Sequence, residues 1–320
     1  MRKNSKIIFF ILLNVNESCI LSTMNSANKL IIKSAFQIAE KAGAKSVIIY
    51  IDPLDDLKFD ERVSKKFDIL LVSKKKKWDF EKEEKTSLGV RAKALIVVPK
   101  INLTRMALVK LAVMLGMSLE HVEAGSITVC VVGHSETGVL DCIQVIDTSK
   151  EAEILTGRNL AKLTENVNSE VFQAVLNLTI ELADKGREGK PIGTIFVIGD
   201  EDHVMQFSRQ MIINPFKGYD EEERNILNPS LKETIREFAA MDGAFIVSGD
   251  GIVLTSGRYL SAASDDTNLP RGLGSRHIAA AGITALTKAV AFVISESSGD
   301  VKIFKDGKII MDVEKAPNKR

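Results

Sequence analysis

The sequence predicts an α/β protein: an N-terminal three-layer domain on a parallel sheet, then a second α/β domain on a mixed sheet. In the first half, helical patterns alternate with near-continuous apolar runs such as Val47-Ile48-Ile49-Tyr50-Ile51 and Ala94-Leu95-Ile96-Val97-Val98. Strands apolar on both faces belong to a parallel sheet covered by helices on either side. In the second half, Asp250-Gly251 and Asp306-Gly307 each lie between short apolar runs. That pattern signals antiparallel hairpins, so the two halves differ in class.

The chain has 320 residues, 45% hydrophobic and 27% charged, with a net charge of +1. This suits one or two globular domains. Near-neutral charge argues against general nucleic-acid or membrane-surface binding. Cys19, Cys130 and Cys142 lack metal-ligand spacing; Cys130 and Cys142 read as reduced core thiols of a cytoplasmic protein. Arg2, Lys3 and Lys6 precede the apolar run Ile7-Ile8-Phe9-Phe10-Ile11-Leu12-Leu13. The run imitates a signal peptide, but it is too short to span a bilayer and no small-residue cleavage site follows. Residues 1–23 are therefore expected to be an edge strand or an upstream extension, with Met24 as the native start.

In the first domain, Asn25 or Ser26 caps a helix over residues 27–42, whose Ala27, Leu30, Ile31, Ala35, Ile38 and Ala39 share a face. Strands follow over 46–51, 67–73 and 94–99, then an apolar helix over 104–116 and a strand over 127–133. Lys74-Lys75-Lys76-Lys77 is offset by Glu81, Glu83 and Glu84 and reads as a solvated loop. The turn from Gly133 to Gly138 follows a strand, where open α/β sheets place ligands. It carries neither a Walker motif nor GxGxxG, and its His134 reads as structural. A polar segment with few large apolar residues then divides the chain into residues 1–148, a linker over 149–168, and residues 169–320.

In the second domain, Ser169 caps a helix over 170–185 with Val171, Phe172, Val175, Leu178 and Leu182 in its stripe. A buried strand covers 192–199. Asp200-Glu201-Asp202-His203 reads as exposed acids opening a helix over 204–211, because sequence neighbours do not easily converge on one ion. Asn228-Pro229 starts a helix ending at Met241. Asp242-Gly243 follows at once, leading into the strand Ala244-Phe245-Ile246-Val247. Another strand covers 289–294. Gly272 and Gly274 precede Ser275-Arg276-His277 and a helix running to Lys288, with Ser275 in the cap position.

An acid at a strand start beside a basic, Gly-rich helix start is what a nucleotide polyphosphate and its metal require. A helix N-terminus with an added guanidinium is an anion site. Asp242 and Glu296 offer hard oxygens to Mg²⁺ or Mn²⁺, and Ser295 adds a hydroxyl. Taken singly, each is ordinary: Asp242 reads as a turn residue and Arg276 as a surface cation.

Taken together they resemble a family. Asp242-Gly243-Ala244, Arg276-His277 and Ile294-Ser295-Glu296-Ser297-Ser298-Gly299 occur in that order. They match the Asp-Gly-Ala motif, the first two positions of the Arg-His-Arg motif and the later Ser-Glu segment of the diadenylate cyclase domain, over residues 169–315. Residues 27–147, on Ala94-Leu95-Ile96-Val97-Val98-Pro99 and the Thr104 helix, resemble the C-terminal α/β domain of pyruvate kinases. The whole chain is thus similar to the archaeal type of diadenylate cyclase.

The resemblance implies condensation of two ATP into cyclic di-AMP (c-di-AMP) and two pyrophosphates, with Mn²⁺ or Mg²⁺ as the divalent cation. It implies two such domains face to face about a twofold axis in a homo-oligomer, and a regulatory or assembly role for the first domain. No nucleic-acid or membrane partner is expected. Asp242, Arg276 and His277 are implied as catalytic. Gly243, Ala244, Leu260, Gly274, Ser275, Ser295 and Glu296 are implied as further ATP contacts, and Asp242 and Glu296 as metal ligands. Ile278 departs from the third motif position and removes one cation; Ser275 stands where many members have Thr and keeps the hydroxyl. Ile278 raises the alternative of a catalytically weakened sensor of ATP or c-di-AMP.

Overall fold

The computed structural model describes residues 26–54, 66–75, 92–134, 137–150, 166–186, 192–261, 270 and 272–314. The N-terminal apolar run and Met24, Lys76, Lys77 with the acids that follow them, Ser135, Glu136 and linker residues 151–165 lie outside the described residues.

Five strands form the first sheet in the order β3-β2-β1-β4-β5. They are β1 (Ser46–Tyr50), β2 (Asp68–Ser73), β3 (Ala94–Val97), β4 (Ile127–His134) and β5 (Val139–Asp147), with helices α1 (Ser26–Ala42) and α2 (Arg105–Ser118). β1 runs parallel to β2 and β4, and β2 parallel to β3. Side chains alternate between faces along a strand. Val47, Ile49, Leu71 and Val131 therefore pack with Ile32, Ala35 and Ala39 of α1. Ile48, Tyr50, Val72 and Cys130 face the other way and pack with Leu108, Leu111 and Leu115 of α2. These three layers are why the strands are apolar throughout. One correction concerns β5, which pairs antiparallel with β4. It is an edge strand with Val145 44% exposed, so it lacks the continuous apolar run of its neighbours.

The second sheet has seven strands in the order β12-β11-β10-β6-β8-β9-β7. In chain order the elements are α3 (Ser169–Lys185), β6 (Ile195–Ile198), α4 (Glu201–Gln206), β7 (Ser208–Gln210) and α5 (Leu231–Phe238). They continue with β8 (Ala244–Val247), β9 (Val253–Leu260), α6 (Ser275–Leu286), β10 (Val290–Ile294), β11 (Val301–Lys305) and β12 (Lys308–Val313). β6 and β8 are parallel, while the other pairings are antiparallel, so the sheet is mixed. On one face Phe196 stacks on Phe245 at 4.7 Å, and Phe292 meets Phe172 of α3 at 5.3 Å. On the other face Val197, Ile246, Ala291 and Val293 pack under Ala280, Ala281 and Ile283 of α6. Both Asp-Gly hairpins form; in the second, Asp306 and Gly307 have φ of 50° and 73°, as a tight two-residue turn demands.

Five local expectations change, the first being that α5 runs Leu231–Phe238 with Ser230 at its N-cap rather than from Asn228-Pro229 to Met241. Asn168, not Ser169, caps α3, accepting from the Glu170 nitrogen at 2.8 Å. The helix expected over 204–211 ends at Gln206, and the chain turns into the short edge strand β7. Asp200 is no exposed helix acid: its carboxylate accepts from the Lys288 nitrogen and pairs with His203 Nδ1, each at 2.6 Å, and is 15% exposed. It braces the start of α4 to the approach of β10. Gly274, not Ser275, is the N-cap of α6. Cys130 and Cys142 are free thiols; burial pushes the Cys130 thiol far up. Among the described residues no helix is long and apolar enough to cross a membrane.

Candidate active site

Three neighbouring strands, β10, β6 and β8, bring their ends to one edge of the second sheet. Ile195 pairs with Ala244 in the parallel β6–β8 ladder and with Val293 in the antiparallel β6–β10 ladder. The starts of β6 and β8 and the finish of β10 are therefore level, and so are Gly193, Asp242-Gly243 and Ser295-Glu296. The small residues of α6 let it lie close on this sheet, and its first turn opens at the same edge. Gly274 caps that turn without a side-chain bond. The first N–H groups of a helix lack the usual intrahelical partner. The His277 nitrogen donates to the Gly274 carbonyl at 3.0 Å, and those of Ser275 and Arg276 are left as donors toward the edge.

Arg276 ties the edge together. Its Nη1 donates to Glu296 Oε2 at 2.9 Å, and its Nη2 lies 3.4 Å from Asp242 Oδ1. The Arg276 side chain is 33% exposed, against 84% for Asp242 and 62% for Glu296. The guanidinium is thus half-sunk while both carboxylates face solvent. Ser295 shapes the turn that presents Glu296: its backbone nitrogen donates to the Asp300 carbonyl at 2.9 Å, and its hydroxyl meets Ser297 Oγ at 3.2 Å.

Gly243 has φ 108°, and a Cβ there would stand 2.6 Å from the backbone nitrogen of Arg258 and 2.6 Å from the Gly257 carbonyl carbon. β9 crosses so close that only glycine fits. Asp242 is thereby delivered outward while Ala244 enters the core at 0% exposure.

The structure brings Arg276, Asp242 and Glu296 together, with Gly243 and Ser295 supporting them and Ser275 exposed on the same first turn. His277 and Leu260 are placed differently. Consecutive helical residues point about 100° apart, so His277 faces inward, 6% exposed, its ring 6.1 Å from that of Phe304. Neither ring nitrogen has a hydrogen-bond partner among the described residues. Burial lowers its pKa, as does nearby Lys302, so the ring is neutral near neutral pH. Leu260 is 5% exposed in the cluster beneath α6. Ile278 is half-buried.

Sequence reasoning missed two residues here. Gly193 lies against Arg276; its only signal was a glycine entering a buried strand. Arg258 holds the sheet edge by donating to the Ser208 carbonyl at 2.6 Å and the Met205 carbonyl at 3.1 Å. Nothing in the sequence around Arg258 set it apart.

Two clefts of about 810 and 640 Å³ lie elsewhere, one against α3 and Lys100, the other at the far ends of β6 and β8 beside Asp200 and Asp250. Neither is lined by Asp242, Arg276 or Glu296, whose site is an open edge. Among the described residues no group of three or more His, Cys, Asp or Glu is placed to hold a metal. Asp242 and Glu296 nevertheless suit a hard divalent cation; such an ion would take its remaining ligands from phosphates and water.

Residues 181–309 match the protein family described as "DisA bacterial checkpoint controller nucleotide-binding", and residues 27–156 match one described as "Probable sensor domain DacZ_P". A diadenylate cyclase of Methanocaldococcus jannaschii is 39% identical over 191 residues, covering 59% of this chain and 60% of that protein. A diadenylate cyclase of Haloferax volcanii is 34% identical over 198 residues, covering 62% of this chain and 71% of that protein. The match thus spans less than two thirds of the Methanocaldococcus protein. A crystal structure of DacA from Staphylococcus aureus is 26% identical, covering 44% of this chain and 84% of that one, with a TM-score of 0.30.

Proposed function

The chain belongs to the diadenylate cyclase family, and from that premise we propose that it condenses two ATP into c-di-AMP and two pyrophosphates. The observation that carries the reading is the Asp242–Arg276–Glu296 constellation beside a helix N-terminus, on an open edge. Each ribose 3′-hydroxyl attacks the α-phosphorus of the other ATP. A 3′-O–P bond forms, the bond to pyrophosphate breaks, and the hydroxyl proton passes to Asp242. Arg276 and the first-turn N–H groups of α6 stabilise the charge that grows on the phosphate oxygens. Gly274 and Ser275 present those donors, Ser295 orients Glu296, and Gly243 and Ala244 keep the strand entry clear for the nucleotide. Leu260 packs beneath the adenine side, and His277 supports the helix turn that carries Arg276.

Asp242 and Glu296 are the residues that would hold Mn²⁺ or Mg²⁺, which supplies positive charge against the leaving pyrophosphate when bound. The donor set is hard oxygen, and both carboxylates are exposed enough to turn from Arg276 toward an ion.

An open edge with half the needed groups suits two copies face to face, each closing the other's site. The domain arrangement is read as residues 1–148 for regulation or assembly, a linker over 149–168, and residues 169–320 for catalysis. The free thiols Cys130 and Cys142 fit a cytoplasmic setting. Ile278, where the family's second motif Arg would stand, supports the second reading of a weakened nucleotide sensor. Specific activity measured across protein concentration tests the paired site. Activity per chain should rise with concentration and then level off; activity constant down to concentrations at which the chain is monomeric by light scattering would contradict it.

A further inference from the structure

We propose that Gly193 is a positioning residue: the side chain it lacks is the seat in which the Arg276 guanidinium lies across Asp242 and Glu296. The inference deepens the cyclase reading and rests on Arg276 being the phosphate grip. Gly193 lies two positions before Ile195, so it stands between the strand ends that carry Asp242 and Glu296. The Ile294 nitrogen bonds the Thr194 carbonyl at 3.0 Å, which fixes the β10 end against it. A Cβ on Gly193 would stand 2.7 Å from Arg276 Nη1, 3.1 Å from Arg276 Cζ and 2.9 Å from Glu296 Cβ.

Backbone need does not explain this glycine. Gly193 is not among the positive-φ residues, so alanine could adopt its conformation without strain. Gly243 differs, since its missing Cβ would strike backbone. At Gly193 the closest atom is the far end of a flexible arginine. The cheapest response to a methyl group is for the guanidinium to leave its place, while Glu296 Cβ, at 2.9 Å, recedes only together with its backbone in the exposed turn. The fold survives that response, and the placed positive charge does not. Catalytic groups tolerate little displacement, because a shift of about 1 Å can cost on the order of a hundredfold in rate.

The test is a double-mutant cycle of Gly193→Ala and Arg276→Ala, read by c-di-AMP turnover, by titration of a fluorescent ATP analogue and by thermal melting. Gly193→Ala should lose about a hundredfold in kcat, with a melting temperature within a few degrees of the parent. The double variant should lose little beyond Arg276→Ala alone, because without the guanidinium the added methyl presses only on Glu296 Cβ. Losses that multiply, or Gly193→Ala with parental turnover and affinity, overturn the proposal. If Gly193→Ala does not fold but the double variant does, the seat is supported by stability alone. If both fail to fold, the strand needs the glycine and Arg276 does not, and the proposal falls. Should the parent chain make no c-di-AMP, the cyclase reading fails, and the ATP-analogue arm of the cycle still decides Gly193.

Discussion

Asp242→Asn is expected to abolish c-di-AMP synthesis and to leave the fold intact. The substitution keeps the shape of the side chain and removes its charge and its capacity to take a proton. The side chain is 84% exposed, and its ionic partner among the described residues is Arg276 at 3.4 Å. Exposed, loosely paired carboxylates contribute little to stability because water screens them. The melting temperature is therefore expected to move by no more than about two degrees. In the proposed reaction the same carboxylate takes the proton of the attacking hydroxyl and holds the divalent cation. Loss of one such electrostatic group costs on the order of 10²–10³-fold, and loss of both roles should exceed it. Chromatographic measurement of product, beside a melting curve, separates the two effects. Full activity in this variant would refute the role assigned to Asp242.

Arg276→Ala is also expected to cost a large factor in rate, with little effect on folding. The guanidinium reaches both carboxylates, and it stands at the first turn of α6 where the phosphates would bind. Arginines that stabilise a transferring phosphoryl group are worth on the order of 10³–10⁵-fold in turnover. Its two ion pairs involve carboxylates 84% and 62% exposed, so their loss costs about 0–1 kcal/mol. Arg276→Lys should fall between. It keeps the charge, but a single ammonium cannot span Asp242 and Glu296 as a planar fork does. Single-turnover assays with ATP distinguish the three chains. Equal turnover in the parent and in Arg276→Ala would remove Arg276 from the chemistry.

Much of the fold was legible because its signals are local. Asp306-Gly307 between Phe304 and Lys308 fixes a hairpin within a few residues, and Thr104 caps α2 by accepting from the Ala107 nitrogen three positions on. The unbroken apolar runs of β1 and β2 reported two-sided burial. What escaped was set at long range. Asp200 looked like one of a row of exposed acids, yet its partner is the Lys288 nitrogen, 88 positions away. β7 was missed because this three-residue edge strand is largely wet and follows a helical pattern without a break. Gly193 acquires meaning only beside Arg276, which no neighbouring residue announces. The motif residues Arg276 and His277 are adjacent in sequence, and the helix turns them to different sides. That divergence was foreseeable from helical geometry alone, since a cap at Ser275 already places both residues in the first turn.

The most direct test of the central claim is the identity and ratio of the products formed from ATP. Incubation of the full chain with ATP and Mn²⁺, followed by chromatography and pyrophosphate assay, should yield c-di-AMP with two pyrophosphates for each molecule made. ATP binding with no c-di-AMP, across Mn²⁺ and Mg²⁺ and across protein concentrations, would contradict the cyclase account and leave the nucleotide sensor that Ile278 suggests.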